Sequence, residues 1–167
     1  YDRGEYRISA EHVRAARHAY YAMITYADAL MGQVLAALKA TGQVDDTIII
    51  VSADHGEMLG ERGLWYKMTF FERSVRVPLI MQFPHGAYAG CKVPDPVSLL
   101  DLAPTLLDLA GVPPEARLPM DGISLLPLLY GAASSERPVL SEYHVEKVYA
   151  PCFMVRQGRY KYVYIHG

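Results

Sequence analysis

The sequence predicts an α/β fold, with helices and strands alternating over residues 1–135 and an antiparallel β end-piece over residues 136–167. Three observations predict it. An apolar face with helical spacing runs from Val13 to Leu38. A dense β-branched run, Thr47-Ile48-Ile49-Ile50-Val51-Ser52, follows and ends at Asp54-His55. After Pro138 the chain turns to three short strand-like runs.

The elements follow in order. Ser9 is placed to cap a long helix, with Glu11 in its first turn, where an acid favours the positive end of the helix dipole. Val13, Ala16, Tyr20, Ile24, Ala27, Met31, Val34 and Leu38 step by three and four residues and form one apolar stripe. Lys39 sits in the last turn and Gly42 serves as the stop. The run Thr47–Ser52 then reads as a strand of a parallel sheet, buried on both faces. Val77–Phe83 reads as a second strand, with Pro78 marking its start or an edge position. Pro84, Gly86, Gly90, Pro94 and Pro96 punctuate a loop over residues 84–97. Ser98 caps an amphipathic helix that runs to about Ala110, and Gly111 with Pro113-Pro114 ends it. A short apolar piece, Ile123–Tyr130, follows Asp121-Gly122. Val139–Tyr143, Tyr149–Arg156 and Tyr160–Ile165 read as strands, with Gln157-Gly158 as a tight turn between the last two.

Composition narrows the possibilities. With 167 residues and 51% hydrophobic content the chain has material for a real core. A net charge of −2 gives no electrostatic case for nucleic acid or an anionic membrane as partner. No uninterrupted apolar run approaches the ~20 residues of a membrane span. Cys91 and Cys152 lack metal or redox spacing and are expected to be free thiols, as in a cytoplasmic protein. The chain opens at Tyr1-Asp2-Arg3 and is expected to be a fragment.

The chemistry is concentrated just beyond the first strand. In open α/β sheets ligands collect outside the carboxyl ends of the strands. A carboxylate at such a tip, desolvated by a buried strand, needs a counter-ion. Asp54 suits a hard cation such as Ca²⁺ or Mg²⁺, and His55 widens the choice to Mn²⁺ or Zn²⁺. Gly56, Gly60 and Gly63 read as a tightly folded turn that returns Lys67 over the metal, where its ammonium would meet an anionic oxygen. Taken singly, each of these residues also has an ordinary use: a turn-capping Asp, a surface His, a solvated Lys. Trp65 and Tyr66 serve either as packing or as the wall of a cation-binding pocket. Glu142 and Glu146, around Tyr143 and His144, are either an exposed strand end or carboxylates facing a cationic group. His12, His18, His85 and His166 belong to no local constellation and read as surface or structural residues.

The segment from Ala53 to Pro78, and above all Gly60-Glu61-Arg62-Gly63-Leu64-Trp65-Tyr66-Lys67, resembles the sulfatase family of the alkaline-phosphatase superfamily, and within it the choline-sulfatase branch. Arg17-His18-Ala19-Tyr20-Tyr21-Ala22 with Asp28 and Gly32 extends the likeness upstream. Asp101-Leu102-Ala103-Pro104-Thr105, Asp121-Gly122-Ile123-Ser124-Leu125, Ser141-Glu142-Tyr143 and Arg159-Tyr160-Lys161-Tyr162 extend it downstream. The resemblance implies an alkaline-phosphatase-like sandwich, of which residues 1–135 are the C-terminal part of the catalytic domain and residues 136–167 the start of the C-terminal antiparallel subdomain. It implies Asp54 and His55 as ligands of one divalent metal, Ca²⁺ first and Mg²⁺ or Mn²⁺ next. It implies Lys67 as the catalytic residue that contacts sulfate.

The family's nucleophile is a formylglycine made in a Cys/Ser-x-Pro-x-Arg motif. That motif is absent here, since Cys91 precedes Lys92-Val93 and Cys152 precedes Phe153-Met154. The nucleophile is therefore expected in an N-terminal segment outside this chain, and the chain alone is expected to be inactive. The expected reaction is cleavage of choline-O-sulfate to choline and sulfate, with Trp65 and Glu142 (or Glu146) on the trimethylammonium group and a homo-oligomer as the full-length state. The alternatives are a phosphonate monoester or phosphodiester hydrolase, another sulfatase, or an inactive sulfatase-derived binding or structural module.

Overall fold

The computed structural model describes residues 8–131, 136–144 and 149–167. They fall into two compact units, one ending at Ala87 and the other beginning at Tyr88. Both sheets are small and antiparallel, so the architecture is mixed α/β.

The first unit opens with helix α1, Ala10–Ala40. Ser9 Oγ accepts the backbone N–H of His12 at 3.2 Å, the cap expected from sequence. At the far end Gly42, at φ 71°, turns the chain while Gln43 N–H bonds Leu38 O and Gly42 N–H bonds Lys39 O. No α1 residue is buried. Met23, Tyr26 and Val34 are about two-thirds exposed, and Tyr21, Ile24, Leu30, Met31 and Leu35 are open as well. The apolar surface is therefore far wider than the single expected stripe. By length and composition α1 is apolar enough to cross a membrane. Scanning for unbroken apolar runs overlooks this, because Thr25, Asp28 and Gln33 interrupt the run. The core helix of a soluble protein meets the same test, and an apolar surface this wide calls for another layer against it.

Strand β1, Ile49–Ser52, pairs with β2, Leu79–Gln82, in register Ile49 with Gln82 and Ser52 with Leu79. The pairing is antiparallel, against the parallel sheet expected from sequence. A β-branched run states how apolar a strand's surroundings are, and leaves its partner's direction open. β1 is also half-buried rather than buried on both faces, because β2 is its sole neighbour among the described residues. The short helix α2, Glu72–Val75, precedes β2. Met58, 1% exposed, is the most buried apolar side chain of this unit.

The second unit is built around Asp101. The helix expected from Ser98 begins as a 3-10 turn, Leu99–Asp101, and continues as α3, Leu102–Leu109. Ser98 and Asp101 form a reciprocal capping box. Asp101 is fully buried and accepts Ser98 N–H at 2.8 Å, Ile123 N–H at 3.0 Å and the Arg137 guanidinium at 2.5 Å. Thr105, also fully buried, donates to Asp101 O and accepts Leu125 N–H at 2.9 Å. The chain passes so close here that a Cβ on Gly122 would lie 2.0 Å from Leu100 O. Asp108 Oδ1 on α3 accepts, at 2.6 Å, the guanidinium of Arg117, which lies beyond the helix. Hydrogen bonding from Ser124, then from Arg117, holds the Asp108 carboxyl below the usual aspartate range. Of the apolar piece Ile123–Tyr130, only Leu126–Leu129 is helical, as α4.

Strands β3, Val139–Tyr143, β4, Cys152–Gln157, and β5, Tyr160–Ile165, form the antiparallel sheet expected at the C-terminus, in that order. The turn is Gly158-Arg159, one residue later than expected, with Gly158 at φ 50°, because Gln157 pairs with Tyr160 as the last residue of β4, which itself starts at Cys152 rather than Tyr149. Met154 is the buried residue of this sheet. Cys91 and Cys152 are free thiols.

Candidate active site

At the exit of β1, Ser52 Oγ donates to Pro78 O at 2.8 Å and pins the strand's end to its partner. Asp54 and His55 follow. His55 Nδ1 lies 2.8 Å from Gly56 O, so that nitrogen carries the ring hydrogen. Nε2 is left with a lone pair, and the Lys67 ammonium donates to it at 2.7 Å. Asp54 Oδ1 accepts His55 N–H at 3.0 Å, while Asp54 Oδ2 lies 3.6 Å from His55 Nε2. The structure thus brings together the three residues that the sequence selects at this strand end. An Asp54 carboxylate oxygen and His55 Nε2 lie 3.6 Å apart, with the Lys67 ammonium on the imidazole nitrogen.

That donor set fits a divalent metal as two of its ligands. The described residues contain no cluster of three or more ligating side chains. One expectation is corrected. The Asp54 carboxylate is 86% exposed rather than desolvated, because β1 is covered on one edge only among the described residues.

The turn from Gly56 to Lys67 is a folded backbone. Gly56 N–H bonds Ser74 O at 2.7 Å and Glu57 N–H bonds Arg73 O at 2.9 Å. Met58 N–H bonds Tyr66 O, and Gly60 N–H bonds Leu64 O. Gly60 and Gly63 have positive φ as expected, but so do Leu59 at 49°, Arg62 at 54° and Tyr66 at 68°. Gly56 is required for a different reason: a Cβ there would lie 1.9 Å from Arg73 O. Arg17 on α1 donates to Leu59 O at 2.8 Å. Trp65 is half-buried, and its indole lies 3.1 Å from where a Cβ on Gly60 would stand, so the ring covers that glycine.

A sulfatase family profile matches residues 2–112. The chain belongs to the sulfatase family. A second profile, N-sulphoglucosamine sulphohydrolase, C-terminal, matches residues 60–166 of this sulfatase chain. Over 164 residues the chain is 47% identical to a choline-sulfatase of Rhizobium meliloti (strain 1021), covering 98% of this chain and 31% of that protein. It is 39% identical to arylsulfatase K of Homo sapiens over 165 residues, 94% of this chain and 30% of the relative. The crystal structure of a phosphonate monoester hydrolase of Agrobacterium radiobacter superposes with a TM-score of 0.82 at 32% identity, over 94% of this chain and 34% of the other. The fold is therefore the alkaline-phosphatase-like one, and the chain spans about a third of the length of these relatives.

Glu142 lies on β3 in the second unit, opposite Phe153 of β4, which stands opposite Tyr164 of β5. Its carboxylate is 60% exposed and lies 2.8 Å from His144 Nε2. The rings of Phe153 and Tyr164 stack at 6.3 Å, and His144 packs edge-on against Phe153 at 5.1 Å. Glu146 lies outside the described residues.

Sequence reasoning missed Glu57 and Ser74. Glu57 Oε1 accepts Tyr66 N–H at 2.6 Å and Leu59 N–H at 3.2 Å. Ser74, 2% exposed, donates from Oγ to Lys67 O. The signal that could have found Glu57 is its place next to Gly56, since a carboxylate at the mouth of a tight turn finds backbone N–H groups to accept.

Proposed function

We propose that the full protein containing this chain is a metal-dependent sulfuric ester hydrolase that cleaves choline-O-sulfate to choline and sulfate. The observation that carries the reading is the approach of Lys67 to His55 beside Asp54. The likeness to a choline-sulfatase supports the substrate. Asp54 oxygens and His55 Nε2 would hold the metal, Ca²⁺ in the first instance, with the remaining ligands supplied outside these residues. The metal would contribute Lewis-acid polarisation of the ester and neutralise its charge. The Gly56 carbonyl keeps the hydrogen on His55 Nδ1, so Nε2 carries the lone pair that would ligate; the Lys67 ammonium, which donates to that lone pair in the metal-free chain, would pass to the ester oxygen. Lys67 binds an anionic ester oxygen and offsets the charge that builds up as the alcohol leaves.

The nucleophile, a formylglycine, is proposed to lie outside this chain, which on its own would then be inactive. For the cationic end of the ester the second unit offers Glu142, beside the Phe153–Tyr164 row; Trp65, in the first unit, is the other residue proposed for that role. Carboxylate and ring faces together suit a quaternary ammonium. The same reading keeps a cytoplasmic homo-oligomer as the working form.

The test is sulfate release from choline-O-sulfate by the full-length protein, with a phosphonate monoester beside it. Release that is lost in Asp54→Ala supports the proposal. Turnover of the phosphonate ester alone moves the function to phosphonate monoester hydrolysis, the second reading, which the structural likeness favours. No turnover of either, by protein shown to carry metal and formylglycine, favours the inactive module.

A further inference from the structure

We propose that Glu57 and Ser74 are positioning residues that fix the backbone around Lys67, so that its ammonium stands beside His55, on Nε2 while the metal is absent. The inference rests on the role given above to Lys67. A lysine side chain is long and flexible, so the place its ammonium can reach is set by where its backbone is fixed. Here the backbone is held on both sides of Cα. Before it, Tyr66 O accepts Met58 N–H at 2.9 Å and, one peptide further back, Tyr66 N–H donates to Glu57 Oε1 at 2.6 Å. After it, the Lys67 carbonyl accepts from the buried Ser74 hydroxyl.

The two N–H groups that Glu57 accepts belong to Leu59 and Tyr66, and both residues have left-handed backbone at φ 49° and 68°. Residues with a side chain disfavour that conformation, and it persists only where surrounding bonds impose it. Glu57 supplies such bonds at both ends of the turn. Ser74 ties the same turn to the strand exit, because its carbonyl accepts Gly56 N–H at 2.7 Å. Gly56 O in turn receives His55 Nδ1 at 2.8 Å. One buried serine therefore holds both halves of the pair, the imidazole through Gly56 and the ammonium through the Lys67 carbonyl. A bystander glutamate in a surface turn has no reason to bond the strained residue directly before Lys67.

The test uses metal-free, full-length protein labelled with ¹⁵N-histidine at one fixed pH, and needs no substrate. The His55 Nε2 resonance of wild type carries the shift of a nitrogen that accepts from an ammonium, and K67A moves it. E57A is expected to move it to the K67A position. E57Q, which retains an acceptor oxygen, is expected to restore the wild-type position. S74A makes the same comparison should E57A fail to fold. A wild-type resonance in E57A or S74A overturns the proposal.

A second arm uses whichever ester the enzyme hydrolyses. E57A is expected to lower kcat/KM by about tenfold or more in the wild-type background, and by less than about twofold in the K67A background, because coupled residues do not add. Equal losses in both backgrounds mean that Glu57 is merely structural, and overturn the proposal. Absence of turnover in wild type counts against the functional reading alone, and the resonance then decides.

Discussion

Replacing Gly56 by alanine puts one methyl group where the site has no room. The new Cβ would stand 1.9 Å from Arg73 O, 2.9 Å from Arg73 C and 3.2 Å from Ser74 O, where real contacts stay beyond 3.0 Å. The nearest of these is backbone and cannot swing away as a side-chain tip would. The two segments must separate by about 1 Å or more, an overpacking that costs about 1–3 kcal/mol. The movement also stretches Gly56 N–H to Ser74 O and Glu57 N–H to Arg73 O, now 2.7 and 2.9 Å. Losing each contributes about 0.5–1.5 kcal/mol more. The expected destabilisation is on the order of 4 kcal/mol. Because Gly56 O orients His55, the shift reaches the site as well, and a displacement of about 1 Å is worth about a hundredfold in turnover. The assays are urea unfolding of the full-length protein and kcat/KM on its ester substrate. A destabilisation below about 1 kcal/mol together with kcat/KM within about threefold of wild type would refute the reasoning.

Three further outcomes are expected. Asp101→Ala removes the buried carboxylate that accepts Ser98 N–H, Ile123 N–H and the Arg137 guanidinium and should cost about 3–5 kcal/mol in denaturant unfolding. Glu142→Gln should raise KM for choline-O-sulfate by up to about fivefold, the worth of an exposed ion pair, and leave an aryl sulfate untouched in steady-state kinetics. Asp108 has a lowered pKa in the folded chain, from the Ser124 and Arg117 hydrogen bonds. Its contribution is therefore fully present above the unfolded value of about 3.9 and fades as pH falls through the lower folded value. Asp108→Asn should lower stability at neutral pH and flatten the acid limb of a stability-against-pH curve.

The elements themselves were legible because their signals are local. Ser9, the three-and-four spacing and Gly42 mark α1 to within a residue or two. The strand-like runs and the turn signal after Pro138 foretell β3, β4 and β5 to within one to three residues. Partner direction was not legible: nothing in Ile49–Ser52 says that β2 runs antiparallel to it. At the site, Asp54, His55 and Lys67 were visible because chemistry restricts which residue types bind metals and anions. Glu57 and Ser74 were not, since what they bind is main chain, which every sequence has. The same reason hid Asp101, a buried carboxylate whose partners are two backbone N–H groups and an arginine far along the chain. The turn glycines were read for positive φ and for close approach; Gly60 and Gly63 show the first and Gly56 the second.

The open flanks of α1 bear on how this polypeptide behaves outside a cell. Tyr21, Met23, Ile24, Tyr26, Met31 and Val34 all face water. Apolar area on that scale is adhesive, to dyes, to column matrices and to other copies of itself. Purified as these residues alone, the chain should bind fluorescent hydrophobic probes and sediment as mixed aggregates. Detergent, or an added surface that covers the helix, should disperse them. Crystallisation screens and labelling schemes are better directed at the second unit, whose small sheet and Asp101 clasp form a separate compact body.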